Sequence, residues 1–215
     1  MIHSPRVTVL SKNQCKRIHR TAIEILQTAG VLVHDETALQ VLEGNGAVIS
    51  GSRAYIPEAL VDQALHTAPH RIQLWSRDGE EALYLEKDRC YFGTGSDTQY
   101  TWDIDTGKRR FAVIDDTARA AKIGDALDNI DFVMSLSLAS DVPKENYHVH
   151  EFREMVLNTS KPVLFIAGKR EDVEDILDIA EIITGSRTAL REKPFLVLFA
   201  QPSTPLRHSR EALAK

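Results

Sequence analysis

Residues 162–167 read Pro-Val-Leu-Phe-Ile-Ala, an unbroken apolar run bounded by Ser160-Lys161 and Gly168. Its length suits a buried strand better than a helix. The same grammar appears at Phe132-Val-Met-Ser-Leu136 and at Pro194-Phe-Leu-Val-Leu-Phe-Ala200. The strand starts at 132, 163 and 195 lie 31 and 32 residues apart. Helical patterns fill the gaps. One covers Tyr147–Asn158. Another opens at Asp172, carries Val173, Ile176, Leu177, Ala180 and Ile183 on one face, and stops at Gly185. Continuous apolar strands alternating with helices imply a parallel sheet covered by helices.

The expected fold class is therefore α/β, a partial (β/α)8 TIM-type barrel of about three βα units behind an N-terminal α+β elaboration. The boundary is placed between 1–128 and 129–215. A complete barrel runs to about 250 residues, and far fewer follow Asn129. Leu206–Lys215 reads as a new helix with no stop signal. The chain is thus expected to be the N-terminal piece of a longer protein. A compact three-stranded α/β layer is the alternative that periodicity leaves open.

Upstream, Ser11 and Gln14 have capping-box spacing, and Ile18, Ala22, Ile25, Leu26 and Ala29 recur at helical intervals before Gly30. A second helix is expected after Asp35, with Ala38, Leu39 and Leu42 inward and Gly44 as stop. A third begins at Pro57, with Leu60, Val61, Ala64 and Leu65 as its stripe. From Arg71 to Phe111 the pattern turns to short strands. Asp103-Ile-Asp-Thr-Gly107 reads as the turn of a hairpin joining Tyr100–Trp102 to Arg109–Phe111. Asp115 or Asp116 is expected to cap a helix reaching about Leu127.

Composition narrows the class of partner. The 215 residues carry 26 Lys+Arg and 31 Asp+Glu, a formal charge of −5, which argues against nucleic acid as the main partner. No apolar run approaches the roughly 20 residues of a membrane span, and the N-terminus lacks a secretory apolar region. Two cysteines, Cys15 and Cys90, make no disulfide framework. The expectation is a cytoplasmic protein with no membrane partner.

Several residues are candidates for chemistry. Gly93-Thr-Gly-Ser-Asp97 begins like a dinucleotide fingerprint, but Thr98 stands where the third glycine belongs. It is read either as a tight turn or as a loop where backbone approaches a ligand, with Ser96 and Asp97 as polar contacts. His150 and Glu154 share helical spacing but lack the second histidine of a zinc motif. Asp103 and Asp105 lack the rest of a calcium loop, so no metal site is expected. In parallel α/β folds ligands gather at the carboxyl ends of strands. That rule singles out Ser135, Ser137, Gly168, Gln201 and Ser203. Among Trp75, Tyr91, Phe92, Tyr100 and Trp102, most are expected in the core, and a subset could face a quaternary ammonium group.

The ordered series AGVLVHDETALQVLEGNGA (29–47), IPEALVDQALHTAP (56–69), FGTGSD (92–97), DIDTGKRRFAVIDDTARAAKIGDALDNIDF (103–132), SKPVLF (160–165) and PSTPL (202–206) resembles the trimethylamine methyltransferase family, which includes glycine betaine methyltransferases. The similarity runs from about Leu26 to Leu206. The resemblance implies a (β/α)8 barrel with an N-terminal elaboration. It also implies methyl transfer from a tertiary or quaternary amine to cobalt(I) on a separate corrinoid protein, in one-carbon metabolism of the methanogenic type. The cofactor is thus a corrinoid carried by the partner, and the chain contains no D-x-H-x-x-G cobalamin motif. Whether the parent has the family's pyrrolysine would be decided beyond Lys215. Gln201 and Ser203 are the favoured substrate- or corrinoid-facing residues, with Gly93, Gly95, Ser96 and Asp97 next. The fragment alone is expected to be inactive, and a homo-oligomer is left open. The competing readings are a non-catalytic binding or regulatory module of the same half-fold, and an unrelated small α/β enzyme built on the Gly93–Asp97 loop.

Overall fold

The computed structural model describes residues 8–215. The chain divides into two compact units: residues 8–68 together with Pro202–Leu213, and Pro69–Gln201 with the last two residues.

In the first unit α1 (Lys12–Thr28) is opened by the expected capping box, Ser11 and Gln14 satisfying each other's backbone groups. β1 (Val31–Val33), α2 (Glu36–Gly44), β2 (Val48–Ser50), β3 (Arg53–Tyr55) and α3 (Glu58–Thr67) follow. Asp35 caps α2 by accepting from the Ala38 N–H at 2.9 Å. Pro57 precedes α3 as its N-cap, one position earlier than the first helical turn. Gly30 ends α1 at φ +67°, and a Cβ there would lie 2.7 Å from the Ala54 carbonyl. The strands form one sheet in the order β10-β1-β3-β2. β10 is only Arg207–His208, parallel to β1, and it is followed by the short α8 (Arg210–Ala214). The helix expected over Leu206–Lys215 is thus shorter, because the backbone of Arg207 and His208 is taken up by pairing with Leu32 and Val33.

The second unit opens with the hairpin β4 (Arg71–Trp75) and β5 (Glu81–Glu86), whose inward Leu74 and Leu83 are buried. β6 (Tyr100–Trp102) and β7 (Arg109–Phe111) form the expected second hairpin. α4 (Ile114–Ala126), α5 (Tyr147–Asn158), β8 (Val163–Phe165), α6 (Arg170–Thr184), α7 (Arg187–Glu192) and β9 (Leu196–Leu198) complete it. α4 starts one residue before the expected aspartates. Asp116 sits in its first turn and accepts from the Val113 N–H, because Arg110 holds its carboxylate there.

β8 and β9 are parallel and in register. Residues 132–137 lie beside β8 through the parallel bridge Val133–Val163, and residues 93–98 lie beside 132–137 through Gly93–Phe132 and Thr98–Ser137. Four extended segments therefore run parallel, in the chain order 93–98, 132–137, β8, β9. The first is the segment whose sequence pattern reads as a turn or loop. Its glycines and hydroxyls hide the apolar signature of a strand. Thr94 Oγ1 substitutes for ladder bonds by joining both the N–H and the carbonyl of Met134.

Helices cover one face of these segments. Val133, Phe152, Met155, Val163, Phe165, Ile176, Ala180 and Phe195 form its buried core. The alternate side chains Met134, Leu164 and Ile166 are only half-buried. Among the described residues the small sheets are all open, and no helix is long and apolar enough to cross a membrane.

Candidate functional site

The parallel segments have two ends of different character. At their amino ends the β4–β5 hairpin is tied down. The Arg77 N–H donates to the Ser160 carbonyl at 2.7 Å, the Trp75 N–H to Pro194 at 2.9 Å, and Lys193 Nζ to Gly79 at 2.8 Å. At their carboxyl ends lie Ser96-Asp97-Thr98, Ser135-Leu136-Ser137, Gly168 and, after β9, Phe199 to Gln201.

Two of these ends carry unusual backbone. Asp97 has φ +63° and Leu136 φ +57°. Around Leu136 the Ser137 N–H donates to the Ser135 carbonyl at 2.6 Å. That is a three-residue turn with positive central φ, which is rare and strained for a branched residue. It is held by the neighbouring segment: Leu136 donates to Gly95 at 2.8 Å, and Thr98 donates to Leu136 at 3.0 Å. Strained backbone of this kind concentrates at functional sites.

Behind the strand ends the covering helices contribute buried ionisable groups. His148, Glu151 and Asp172 are 6%, 3% and 2% exposed. Glu151 Oε1 accepts from the Ala139 N–H at 3.1 Å, and Oε2 lies 3.5 Å from His148 Nδ1. Ser96, Ser135, His148 and Glu151 border a cavity of about 10 Å³, room for one water. Asp172 Oδ2 accepts from the N–H groups of Gly168 and Lys169 at 2.9 and 3.2 Å. Its Oδ1 has no partner among the described residues. A Cβ on Gly168 would lie 3.2 Å from Asp172 Oδ2 and 3.8 Å from His148 Cδ2, so the glycine lets the two side chains close in. The Tyr147 ring packs 3.8 Å from that of His148. Its phenol is pushed above the usual range by burial and then by the negative charges of Glu151, Asp97 and Asp172.

Beside this region a cleft of about 240 Å³ separates the β6–β7 hairpin from α4, with Tyr100, Trp102, Ile123 and Leu136 among its walls. Arg110 spans it, with two bonds of 2.7 and 2.8 Å to Asp116 and one of 3.3 Å to Asp103. Arg110 holds Asp116 below the ordinary carboxylate range. Asp103 is lowered first by the N–H and hydroxyl of Thr106, then by Arg110.

The sequence-derived candidates fall into separate places. Ser96 and Asp97 meet Ser135 and Ser137 at the strand ends. Ser96 Oγ donates to Asp97 at 2.9 Å, and Ser137 Oγ lies 2.6 Å from Thr117 Oγ1 on α4. Gly95 is exposed with open space where a Cβ would point, whereas Gly93 is pressed against the Phe132 ring. Gln201 is exposed after β9. Ser203 belongs to the first unit, where its N–H and carbonyl pair with Arg207. Sequence reasoning passed over Tyr147, Glu151 and Asp172 as site residues. A signal existed for Glu151: positions 148, 151, 152 and 155 share the buried face of α5, and two of those four are ionisable.

The family model described as trimethylamine methyltransferase (MTTB) matches residues 1–215. The chain belongs to the trimethylamine methyltransferase family. It is 27% identical to the glycine betaine methyltransferase of Desulfitobacterium hafniense strain Y51, over 97% of this chain and 44% of that protein. It is 30% identical to a trimethylamine methyltransferase of Methanosarcina thermophila, over 98% of this chain and 45% of that protein. This member of the family thus spans under half the length of the curated relatives it matches.

Proposed function

We propose that this chain is the amino-terminal part of a corrinoid-dependent methyltransferase, which moves a methyl group from a tertiary or quaternary amine to a corrinoid on a separate cytoplasmic protein. The observation that supports it best, beside the family, is the arrangement of four parallel segments. They are plugged by β4–β5 at the amino ends and open at the carboxyl ends, the usual ligand face of such folds. The half-buried face of Met134, Leu164 and Ile166 suits the interior of a (β/α)8 barrel that further βα units would close.

The carrier's corrinoid, when bound, supplies the nucleophile that accepts the methyl group. No residue of this chain is asked to ligate it. The rim at the strand ends presents Leu136 and Phe199, 42% and 43% exposed, an apolar surface that suits the face of a carried corrinoid. The chain's own residues have the remaining tasks. A quaternary substrate leaves as a neutral tertiary amine, so no group has to deliver a proton to it. The protein must bind the cation, align its methyl group and exclude water. The carboxylates of Asp97, Glu151 and Asp172 at this end supply negative charge for the cation. The rigid γ-turn at Leu136 and the interlocked segment 93–98 give fixed positions from which to align it. Gln201, Gly95 and Ser96 remain the loop residues of the second unit proposed to face substrate or corrinoid. A chain that leaves one face of its parallel array uncovered holds only part of such a site, and we expect it to be inactive by itself.

The test mixes the full parent polypeptide, a corrinoid carrier reduced to cobalt(I) and candidate amines, and follows loss of the cobalt(I) spectrum. Conversion with a tertiary or quaternary amine supports the reading, and none with any of them overturns it. The uncovered face also favours a second reading, a binding module of the same half-fold. Carrier binding by this chain without methyl transfer by the parent would select it.

A further inference from the structure

We propose that the open edge of β6 is a seam between two copies of this chain, the strand of one copy adding antiparallel to that of the other about a twofold axis beside Thr101. The inference is independent of the chemistry proposed for the strand ends.

The hairpin's own hydrogen bonds identify the edge. The Asp103 N–H donates to the Lys108 carbonyl at 2.9 Å and the Ala112 N–H to the Gln99 carbonyl at 3.0 Å, with Thr101 opposite Arg110 between them. Hydrogen-bonded pairs recur at every second residue of an antiparallel ladder, so the N–H and C=O groups of Tyr100 and Trp102 point away from β7. Among the described residues no further strand pairs with β6. The opposite edge is partly closed, because Arg110 Nη1 donates to the Phe111 carbonyl at 3.0 Å. Exposed edges are commonly protected by charge, proline, a bulge or a covering element. β6 is Tyr-Thr-Trp, uncharged and paired without a register shift. Trp102 is 69% exposed and Ile104, in the adjoining turn, 96%. The cleft beside α4 is lined by Tyr100, Thr101 and Trp102, so open space runs along the strand.

A second copy suits this edge. With Thr101 facing the same residue of the other copy, Tyr100 of each meets Trp102 of the other. That register makes about four main-chain hydrogen bonds and sets unlike aromatic rings side by side on one face. Continued outward, it places Asp103 opposite Gln99, so no like charges meet. Residues 99–112 hold Lys108, Arg109 and Arg110 against Asp103 and Asp105, a local charge of +1 in a chain of −5. The hairpins therefore approach without the repulsion carried by the whole chain. Trp102 and Ile104 offer about 250 Å² of apolar surface per copy, against about 600 Å² that the smallest stable interfaces take from each partner. Main-chain pairing and the flanks of Tyr100 add to this area, and the dimer belongs to the weak, concentration-dependent class.

Sedimentation velocity of this chain between about 1 and 200 μM tests the seam. Wild type is expected to move from the 24.1 kDa monomer toward twice that mass as concentration rises. Trp102→Lys puts a charge on the edge and is expected to weaken association at least about tenfold, whereas Trp102→Phe keeps a ring and is expected to stay within about threefold of wild type. The axis is tested separately with single cysteines in a Cys15→Ser, Cys90→Ser background. Facing residues of a non-hydrogen-bonded pair lie about 4.5 Å apart between Cα atoms, within the span of a disulfide. Thr101→Cys should therefore cross-link to its own copy under oxidised glutathione at least about tenfold faster than Thr106→Cys, which the register carries away from the axis. The cysteine pair also serves if the lysine variant fails to fold. A single monomeric species at every concentration overturns the seam. So does association that survives Trp102→Lys unchanged, or equal cross-linking at the two cysteines, since either would place the contact on another face.

Discussion

Gly93→Ala tests whether the first glycine of the Gly93–Asp97 segment is there for packing or for a ligand. A Cβ at this position would collide with the Phe132 ring, 2.5 Å from Cζ and nearer still to Cε2 and Cδ2. Ordinary carbon contacts begin near 3.5 Å, so the ring has to retreat by about an ångström. The backbone on both sides resists. The two residues are bridge partners, Asp131 donates to the Phe92 carbonyl at 2.6 Å, and Phe92 donates to the Asp131 carboxylate at 2.8 Å. Overpacking of this kind costs about 1–3 kcal/mol. With a urea m-value of about 2 kcal/mol/M, the midpoint should fall by about 0.5–1.5 M. Both tryptophans, Trp75 and Trp102, lie in the second unit, so their fluorescence reports that unit's unfolding. Phe132→Ala should itself destabilise the unit but remove the obstacle. The double variant should then match Phe132→Ala alone, giving a coupling energy about equal to the cost of Gly93→Ala. A Gly93→Ala protein within about 0.5 kcal/mol of wild type, or purely additive variants, would refute the packing argument.

Further outcomes are expected elsewhere. Phe152, fully buried and edge-on to Phe165 at 5.6 Å, should cost about 3–5 kcal/mol when cut to alanine, read from the same urea transition. Gly30→Ala should destabilise the first unit by about 1–3 kcal/mol, since the new Cβ meets the Ala54 carbonyl at a positive φ. Hydrogen exchange of β1 and β3 amides would show it. The Asp116 carboxyl is depressed when folded, so its tie to Arg110 and Val113 is fully present above the ordinary carboxylate pKa. It is lost as pH falls through the depressed folded value. The Val113 amide shift should follow that titration, and in Arg110→Gln it should move to higher pH. Asp125 is raised by burial, but hydrogen bonds from Ser160 and Thr159 outweigh this and leave it lowered. The same sign makes the junction between α4 and β8 acid-labile, and Asp125→Ala should show a flatter stability profile on the acid side.

Much of this molecule is legible in one dimension because the relevant signals are local. The capping box at Ser11, the cap at Asp35, the hairpin turn at Asp103–Gly107 and the αL stop at Gly185 each act within a few residues of themselves. The apolar runs at 132, 163 and 195 announce strands because a buried strand needs apolar side chains on both faces. The ordered motifs were enough to indicate the family. Segment 93–98 carried no such signal. It is a strand only because residues some forty positions later supply its bridge partners and the Met134 groups that Thr94 holds. The strain at Asp97 and Leu136 is set by that same pairing between the two segments. Tyr147, Glu151 and Asp172 look like ordinary residues of two amphipathic helices. Packing α5 and α6 beside one another against the parallel segments buries the carboxylates of Glu151 and Asp172 near the strand ends and half-buries Tyr147. Local propensity specified the elements, whereas the meeting of groups distant in sequence, and the desolvation that gives their charges force, arose only when the chain folded.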